Sequence, residues 1–275
     1  KSLAFNEKFG IDKIYEIMNF NGHEFCAILN KKKNIKKIFA IKELDATKKK
    51  LTAVIMAGGL GKRLLPLTKE VPKPMIEIDG KPMLQKIIEK LRNEGIINII
   101  ISVNYLSNII IKYFGKGEKF GVKIIYKREN KRLGTAGALK LIKKNDLYEN
   151  DFIVLNGDVL SEINFSNFIK YHKLNNAIAT MAISRYPHQV SFGVVESKDN
   201  IFLGLKEKPY YQFDINAGIY AFNSKIIRLI NRNKFLDMNS LFNKINKKYK
   251  NKVFTYPLHE NWNDLGTHKI LNKFK

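Results

Sequence analysis

The stretch "LTAVIMAGGLGKRLLPLTKEVPKPM", residues 51–75, joins an apolar strand to a cluster of glycines and then to a series of basic residues. A short apolar run that leads into Gly and Lys is typical of a strand ending at a phosphate-binding loop. Two common phosphate-binding motifs share part of this pattern, but neither matches its spacing. The stretch therefore predicts a phosphate loop of another kind.

A Walker-type P-loop needs a Gly five residues before its Gly-Lys pair and a Ser or Thr directly after that pair. Met56 and Arg63 occupy those two positions, so the hydroxyl that would bind magnesium is absent. The dinucleotide fingerprint fails as well, because Leu64 stands where its third Gly is required. A tight turn that uses Gly only for its backbone shape is the alternative interpretation.

Apolar strands alternate with helical periodicity from residue 51 onward. The segment "KPMLQKIIEKLRNEG" (81–95) has apolar positions at helical spacing and ends at the stop signal Gly95. Continuous apolar strands separated by helices predict an α/β fold, with a Rossmann-like, mostly parallel sheet flanked by helices. The predicted strands of this sheet are "TAVIMA" (52–57), "INIIISVN" (97–104), "VKIIYK" (122–127) and "DFIVLNGD" (151–158).

Sheets of this kind bind ligands at the carboxyl ends of their strands. The loops "GGLGKRL" and "NGDV" both follow predicted strands, so they are expected to lie together. After residue 175 the segments become strand-like with short polar breaks, which predicts an antiparallel subregion that covers one side of the mostly parallel sheet. Its strands are "AIATMAIS", "FGVVES", "IFLGLKEK" and "FDINAGIYAFN", followed by two helices and the strand "KVFTYPL".

Residues 1–48 form a separate small α+β unit in this interpretation, and residues 49–275 form the main domain. The segment "IDKIYEIMNF" (11–20) has helical spacing, and residues 24–44 alternate as strand, polar turn and strand. The polar stretch "DATKKK" (45–50) is the predicted junction.

The chain carries 49 basic and 25 acidic residues, a formal net charge of +24. Forty-two of the basic residues are Lys, and they are spread along the chain beside many Asn and Ile. This spread disfavours nucleic-acid binding as the main function, and phosphorylated small molecules fit the charge better. A single cysteine, Cys26, excludes internal disulfides and thiolate-only metal sites. With no membrane-length apolar run and no leader pattern, a cytoplasmic protein is expected.

The segment "AGGLGKRLLPLTKEVPKPM" (57–75) resembles the signature of the sugar-1-phosphate nucleotidyltransferases, the enzymes that make nucleotide sugars. Further segments follow in the family's order, and together they cover about residues 51–270. These segments are "RENKRLGTAGAL" (128–139), "VLNGDV" (154–159), "FGVVE" (192–196), "LKEKP" (205–209), "NAGIY" (216–220) and "WNDLGT" (262–267). The resemblance implies transfer of a nucleotidyl group from a nucleoside triphosphate to a hexose 1-phosphate, with release of pyrophosphate.

The first of these segments offers both backbone donors and cations to a triphosphate. A bend of backbone N–H groups over residues 57–62, at the start of a predicted helix, would favour anionic oxygens. The guanidinium of Arg63 can donate two hydrogen bonds to the β- and γ-phosphates. Lys73 is held between Pro72 and Pro74 and is expected to contact the α-phosphate, although a solvated loop Lys is the alternative. The nucleotide-binding residues implied are Ala57, Gly58, Gly59, Gly61, Lys62, Glu129, Gly134 and Thr135.

Asp158 and Asp264 are the predicted magnesium ligands, and with Arg63 and Lys73 they complete the predicted catalytic set. Each Asp alone would more often be a cap or turn residue. Together with a phosphate loop they suit one Mg²⁺ ion, which proteins hold with one or two carboxylates plus substrate oxygens.

Glu129 lies five residues before Gly134, at the position whose side chain contacts the edge of the nucleotide base in members of the family. A carboxylate only accepts hydrogen bonds, and guanine offers it two adjacent donors, whereas uracil offers one donor between two carbonyls. Glu129 therefore favours GTP. On the sugar side, the resemblance implies that the backbone at Gly193 approaches the sugar ring and that Lys208 contacts the phosphate. It implies that Glu207 contacts hydroxyls or an amine and that Asn216 contacts a hydroxyl or an N-acetyl group.

The wording "RLGTAGAL" (132–139) is similar to a glucosamine-1-phosphate guanylyltransferase branch linked to legionaminic acid synthesis. Members of that branch carry a pair of cystathionine-β-synthase-type (CBS) modules, and residues 1–48 resemble part of such a pair. We expect this N-terminal segment to pack against the main domain or to form a dimer contact, and we expect a homo-oligomer. The alternatives are mannose-1-phosphate guanylyltransferase, glucose-1-phosphate uridylyl- or thymidylyltransferase, and a catalytically silent subunit that binds nucleotide sugars.

Overall fold

The computed structural model describes residues 3–6, 14, 17–18, 23–40 and 50–265 of the chain. Its α-helices are α1 (Met83–Asn93), α2 (Ser107–Phe114), α3 (Gly134–Gly137), α4 (Phe165–Leu174) and α5 (Met238–Lys248). Its strands are β1 (Leu3–Asn6), β2 (Phe25–Leu29), β3 (Ile35–Ala40), β4 (Thr52–Met56), β5 (Glu77–Ile78), β6 (Lys81–Pro82), β7 (Asn98–Val103), β8 (Lys123–Arg128), β9 (Asp151–Asn156), β10 (Val159–Ser161), β11 (Ala179–Gln189), β12 (Val194–Lys198), β13 (Ile201–Lys206), β14 (Tyr210–Asn223), β15 (Val253–Pro257) and β16 (Trp262–Asp264).

The central sheet has seven strands in the order β15–β11–β14–β9–β4–β7–β8. Four neighbouring strands, β9, β4, β7 and β8, are parallel, and all four were predicted as strands of this sheet. The neighbours β11 and β15 are also parallel to each other, and β14 runs antiparallel to both β9 and β11. The prediction of a mostly parallel α/β sheet is confirmed.

Helices cover both faces of this sheet. Alternate side chains of each strand point to opposite faces, so each strand contributes to the core on both sides. On β7, Ile99 and Ile101 join the core beneath α1, α2 and α4, while Ile100 joins the core beneath α3 and α5. All six residues of β7 are buried. This two-sided burial explains why the strand sequences are continuously apolar instead of alternating.

The predicted helix over residues 81–95 is present as α1, and Gly95 has the positive φ of 79° that ends it. The first of the two helices predicted after β14 is instead a single 3₁₀ segment, Ser224–Leu229. The second is α5, whose N-cap Asp237 accepts a hydrogen bond from the Ser240 amide.

The antiparallel strands after residue 175 differ from the prediction in their placement. They do not form a layer over one side of the sheet, because β11 and β14 are members of the sheet itself and pair from Ala179–Phe222 to Gln189–Tyr210. The outer halves of this pair form a two-stranded ribbon, and β12 and β13 form a separate antiparallel hairpin.

The N-terminal residues form a three-stranded sheet in which β1 is parallel to β2 and β2 is antiparallel to β3. The predicted strand–turn–strand over residues 24–44 is present as β2 and β3, and β1 was not predicted. The predicted helix over residues 11–20 and the junction up to residue 49 lie largely outside the described residues. Within the described part of the chain, every helix is too short or too polar to span a bilayer.

Candidate active site

The functional loops meet at the carboxyl ends of the parallel strands, as predicted. In the sheet register, Met56 at the end of β4 lies between Ser102 of β7 and Asn156 of β9. The first glycine loop follows Met56, the base-reading segment follows β8, and the Asp158 loop follows β9. Strand order therefore places segments that are about 100 residues apart in sequence around one opening.

A cavity of about 260 Å³ occupies this opening. Nine of the twelve residues predicted to bind the nucleotide or to take part in catalysis line it; Gly61, Lys62 and Asp264 do not. The lining residues are Met56, Ala57, Gly58, Gly59, Arg63, Lys73, Pro74, Glu129, Arg132, Gly134, Thr135, Asn156, Gly157 and Asp158.

The glycine loop does not lead into an α-helix, which corrects one part of the prediction. After Gly61 the chain makes one 3₁₀ turn, Lys62–Leu64, and then a series of turns. Gly61 has φ +63°, and a Cβ atom there would lie 2.7 Å from the side chain of Thr68. The Thr68 hydroxyl, seven residues further along the same quoted segment, donates to the Gly61 carbonyl at 2.9 Å and so closes the loop.

The Ala57 amide is also not available to a phosphate. It donates to the carbonyl of Ser102 at 2.8 Å and so continues the pairing of β4 with β7. Anion binding by this loop would therefore depend on the amides after Ala57 and on cationic side chains, without the dipole of a full helix.

Lys73 and Asp158, which both line the cavity, form an ion pair. Lys73 is buried, with 8% of its surface exposed, and lies in the 3₁₀ turn Lys73–Met75 that follows Pro72. The alternative of a solvated loop Lys is thereby excluded. A partly buried carboxylate needs a cation or hydrogen-bond donors, and the ammonium of Lys73 meets part of that need for Asp158.

Asp264 reaches the same place through the short strand pair β10–β16. Val159 pairs with Asp264, and the Leu265 amide donates to the Asp158 carbonyl at 3.0 Å. These backbone contacts thus bring the chain at the two predicted metal ligands, Asp158 and Asp264, close together. Within residues 50–265 and the other described positions, no larger group of His, Cys, Asp or Glu could hold a metal. Two hard oxygen donors fit Mg²⁺, whose other ligands come from substrate and water.

The Glu129 carboxylate lies inside the cavity and accepts two hydrogen bonds. The Ser102 hydroxyl donates to Oε1 at 3.0 Å, and the Leu133 amide donates to Oε2 at 3.0 Å. Gly58 lies against the same carboxylate, since a Cβ atom at Gly58 would be 2.5 Å from Oε1. A side chain at Gly58 would have to displace this carboxylate, so Glu129 and the glycine loop pack against each other.

The segment around Gly134 and Thr135 is fastened to the start of α5. The amides of Ala136 and Gly137 both donate to the Leu236 carbonyl at 3.0 Å, and the Met238 amide donates to the Thr135 hydroxyl at 2.9 Å. The Thr135 oxygen is thereby used as a helix cap, and its hydroxyl proton remains for another acceptor.

Of the predicted sugar residues, only Asn216 lies near the cavity. Its Oδ1 accepts from the Gly218 amide at 2.9 Å, and a Cβ atom at Gly218 would meet Asn156. Burial raises the pKa of the nearby Tyr220 to about 12; a hydrogen bond with Asn216 opposes this shift and the charge of Asp158 adds to it. Tyr220 is therefore a neutral hydroxyl that links Asn216 to the Asp158 side of the site.

Gly193 directly precedes β12, Glu207 and Lys208 directly follow β13, and none of the three is among the residues that line the cavity. A Cβ atom at Gly193 would be 3.0 Å from the Glu207 carboxylate. The side chains of Glu207 and Lys208 are 67% and 59% exposed. The structure therefore brings these three residues to each other but leaves them open to solvent.

Sequence reasoning missed two polar residues of the cavity. Arg132 lines it from the base-reading segment, and Asn156 lines it from the end of β9. The Asn156 Oδ1 atom is buried and has no hydrogen-bond partner in the described structure, so it is an acceptor that a bound donor would satisfy. Both residues lie inside the quoted segments, and the end of an apolar strand was the available signal for Asn156.

The chain belongs to the nucleotidyl transferase family, whose model matches residues 52–274. It is similar to a UTP–glucose-1-phosphate uridylyltransferase of Synechocystis, with 37% identity over 197 residues, 66% of this chain and 51% of that protein. It is also similar to mannose-1-phosphate guanyltransferase 2 of Candida glabrata, with 34% identity over 80% of this chain and 62% of that protein. The chain thus spans about half to three fifths of the length of these curated relatives.

Solved structures agree with the fold. HddC from Yersinia pseudotuberculosis superposes with a TM-score of 0.62 and 29% identity, covering 82% of this chain and 100% of that chain. The same protein has been solved in complex with GMP-PN, with a TM-score of 0.61 and 27% identity over 82% and 97% of the two chains. A likeness to a putative glucose-1-phosphate thymidylyltransferase from Bacillus anthracis, at 24% identity and a TM-score of 0.63, supports the fold alone.

Proposed function

We propose that this protein transfers a guanylyl group from GTP to a hexose 1-phosphate, giving a GDP-sugar and pyrophosphate. The observation that carries the proposal is the cavity that Arg63, Lys73 and Asp158 line together with Glu129. The cations and the Asp158 carboxylate suit a triphosphate, and the Glu129 acceptor suits a base. The relatives named for uridylyl and guanylyl transfer to sugar 1-phosphates support the same reaction class.

In this reaction an oxygen of the sugar phosphate attacks the α-phosphorus in line. The bond to the β-phosphate oxygen breaks, and pyrophosphate leaves with that electron pair. The substrate supplies the nucleophile, so the chain's residues act by positioning and by neutralising charge. Arg63 binds the oxygens that become pyrophosphate, and Lys73 neutralises charge at the α-phosphate. Asp158 and Asp264 would hold Mg²⁺, which when bound neutralises charge on the phosphate oxygens.

Glucosamine 1-phosphate is the sugar we propose, because the segment "RLGTAGAL" (132–139) is similar to the corresponding sequence of the glucosamine-1-phosphate guanylyltransferase branch. Mannose 1-phosphate is the main competitor, since several relatives are named for its guanylyl transfer. Gly193, Glu207, Lys208 and Asn216 are the proposed sugar contacts, and the exposed hairpin that carries three of them would have to close on the substrate. Residues 1–48 are proposed as a separate packing unit ahead of the catalytic domain.

A matrix of nucleoside triphosphates against hexose 1-phosphates, read by pyrophosphate release, tests this proposal. GTP with glucosamine 1-phosphate is expected to give the highest kcat/KM. Highest activity with UTP or dTTP would contradict the base assignment, and highest activity with mannose 1-phosphate would contradict the sugar. Binding of nucleotide sugars without any pyrophosphate release would contradict an enzyme altogether.

Replacement of Glu129 by Gln is expected to lower the GTP preference over UTP by about tenfold, because the amide presents a donor to one of guanine's two donors. The ratio of kcat/KM for GTP and UTP measures the effect. Glu118→Gln, an exposed change in the turn before β8, is the matched control. An unchanged ratio in Glu129→Gln would contradict the role of this carboxylate.

Replacement of Arg132 by Ala is expected to raise KM for the nucleoside triphosphate about five- to tenfold, because a cation that lines the cavity is lost. The KM for the sugar 1-phosphate is expected to stay unchanged. Lys131→Ala removes an exposed neighbouring charge that does not line the cavity, and it is expected to leave both values unchanged. Equal effects of the two substitutions would show a general charge effect instead.

A further inference from the structure

Ser102 is a buried hydroxyl placed at the base-reading residue. It is the fifth residue of β7, only 2% of its surface is exposed, and its hydroxyl lies 3.0 Å from Glu129 Oε1. A carboxylate has no proton to give, so the hydroxyl of Ser102 donates in this contact. Buried polar groups in a strand need such a partner, and Glu129 is the partner of Ser102.

The rest of the surroundings fix Glu129 in one orientation. The backbone of Glu129 is bonded at both ends: its amide donates to the Val103 carbonyl at 2.9 Å, and its carbonyl accepts from Asn104 Nδ2 at 2.8 Å. Oε2 accepts from the Leu133 amide at 3.0 Å, and Gly58 lies against Oε1. Among these contacts, only Ser102 donates a hydrogen bond to the carboxylate from a side chain.

The two hydrogen bonds to the Glu129 carboxylate leave acceptor positions free for a nucleotide base. Each carboxylate oxygen can accept two hydrogen bonds. Ser102 uses one position on Oε1 and the Leu133 amide uses one on Oε2, so one position on each oxygen remains. Two adjacent free acceptors match two adjacent donors, and orientation fixed in advance reduces the ordering cost of binding.

We propose that Ser102 is a positioning residue for base selectivity: its hydroxyl holds the Glu129 carboxylate so that the remaining acceptors face the two adjacent N–H donors of a guanine edge. This inference rests on the proposed function, because it takes a guanine nucleotide as the ligand of the cavity. It adds a residue of β7, outside every family-like segment, to the determinants of specificity.

Nucleotide binding by calorimetry tests the proposal without relying on turnover. Ser102→Ala is expected to weaken GTP binding by about five- to tenfold and to leave UTP binding within about twofold, so the GTP-to-UTP affinity ratio falls. Ser102→Thr, which keeps a hydroxyl on a strand-compatible side chain, is expected to restore most of that ratio. With Glu129→Gln already present, Ser102→Ala is expected to change the ratio less than twofold, because the two residues act as one unit.

A purely structural role would lower stability without moving the ratio. Thr180→Val serves as the matched control, since it removes another buried hydroxyl, one that lies 2.7 Å from His172 Nδ1 and outside the cavity lining. It is expected to lower Tm and leave the ratio unchanged. An unchanged ratio in a folded Ser102→Ala variant would overturn the role of Ser102 alone. A wild-type protein that binds neither nucleotide, or binds both equally, would overturn the proposed guanine specificity and this inference with it.

Discussion

Asp158→Asn is expected to lower the turnover of nucleotidyl transfer by about 10²- to 10³-fold, the largest effect of any single change in the site. The substitution removes the negative charge that both pairs with Lys73 and would hold the metal beside Asp264. An Asn of nearly the same shape keeps the backbone contacts of the loop, including the hydrogen bond from the Leu265 amide to the residue-158 carbonyl. Steady-state pyrophosphate release at saturating substrates measures the loss.

The same substitution leaves the Lys73 ammonium buried without its carboxylate. Asp158 keeps 23% of its side chain exposed, so the cost is expected below that of a fully buried pair, at about 1–3 kcal/mol of unfolding free energy. The double variant Lys73→Met with Asp158→Asn is expected to recover stability but not turnover. Asp79→Asn, at an exposed carboxylate paired with Lys86, is the control and should leave turnover unchanged. Near-normal turnover in Asp158→Asn would exclude the metal and phosphate role of this residue.

Arg63→Ala is expected to lower kcat/KM by about 10²-fold, because a guanidinium that lines the cavity is lost from the phosphate end. Arg63 is exposed and lies within the 3₁₀ turn Lys62–Leu64, so its removal is expected to leave Tm within about 1 °C. Arg63→Lys is expected to restore only part of the rate, since an ammonium cannot form the two parallel hydrogen bonds of a guanidinium.

Lys69→Ala provides the control for net charge, because Lys69 is an exposed residue of the same loop that does not line the cavity. It is expected to leave kcat/KM unchanged. A loss in Lys69→Ala equal to that in Arg63→Ala would assign the effect to the general basic surface, and the specific contact between Arg63 and the phosphates would then be wrong.

The central sheet could be predicted because burial on both faces makes its strands continuously apolar, as in β7 and β9. The placement of β11 and β14 could not, because local alternation does not tell which sheet a strand joins. Their membership depends on pairing between residues more than 20 positions apart in sequence, such as Ala179 with Phe222. The 3₁₀ turn after Gly61 was missed because the stretch was interpreted as the start of a helix, whereas the hydroxyl of Thr68 in the same stretch closes a tight turn at Gly61.

The site was predictable where a short motif carries the chemistry, and less so where the fold brings distant residues together. Arg63, Lys73, Glu129 and Asp158 were all predicted from the family resemblance of the quoted segments together with the chemistry of their side chains, and all four line the cavity. The ion pair between Lys73 and Asp158 spans 85 residues and has no local signal. The hydrogen bond from Ser102 to Glu129 spans 27 residues and is equally invisible in either segment.

Sugar-dependent pyrophosphate release is the most direct test of the proposed reaction. The purified chain is mixed with GTP and Mg²⁺, with and without glucosamine 1-phosphate, and compared with Asp158→Asn under the same conditions. We expect pyrophosphate only when both substrates are present, in equal amount to the GDP-sugar formed, and a loss of about 10²-fold or more in the variant. Release from GTP alone, release that does not need Asp158, or no release with any hexose 1-phosphate would contradict guanylyl transfer at this site.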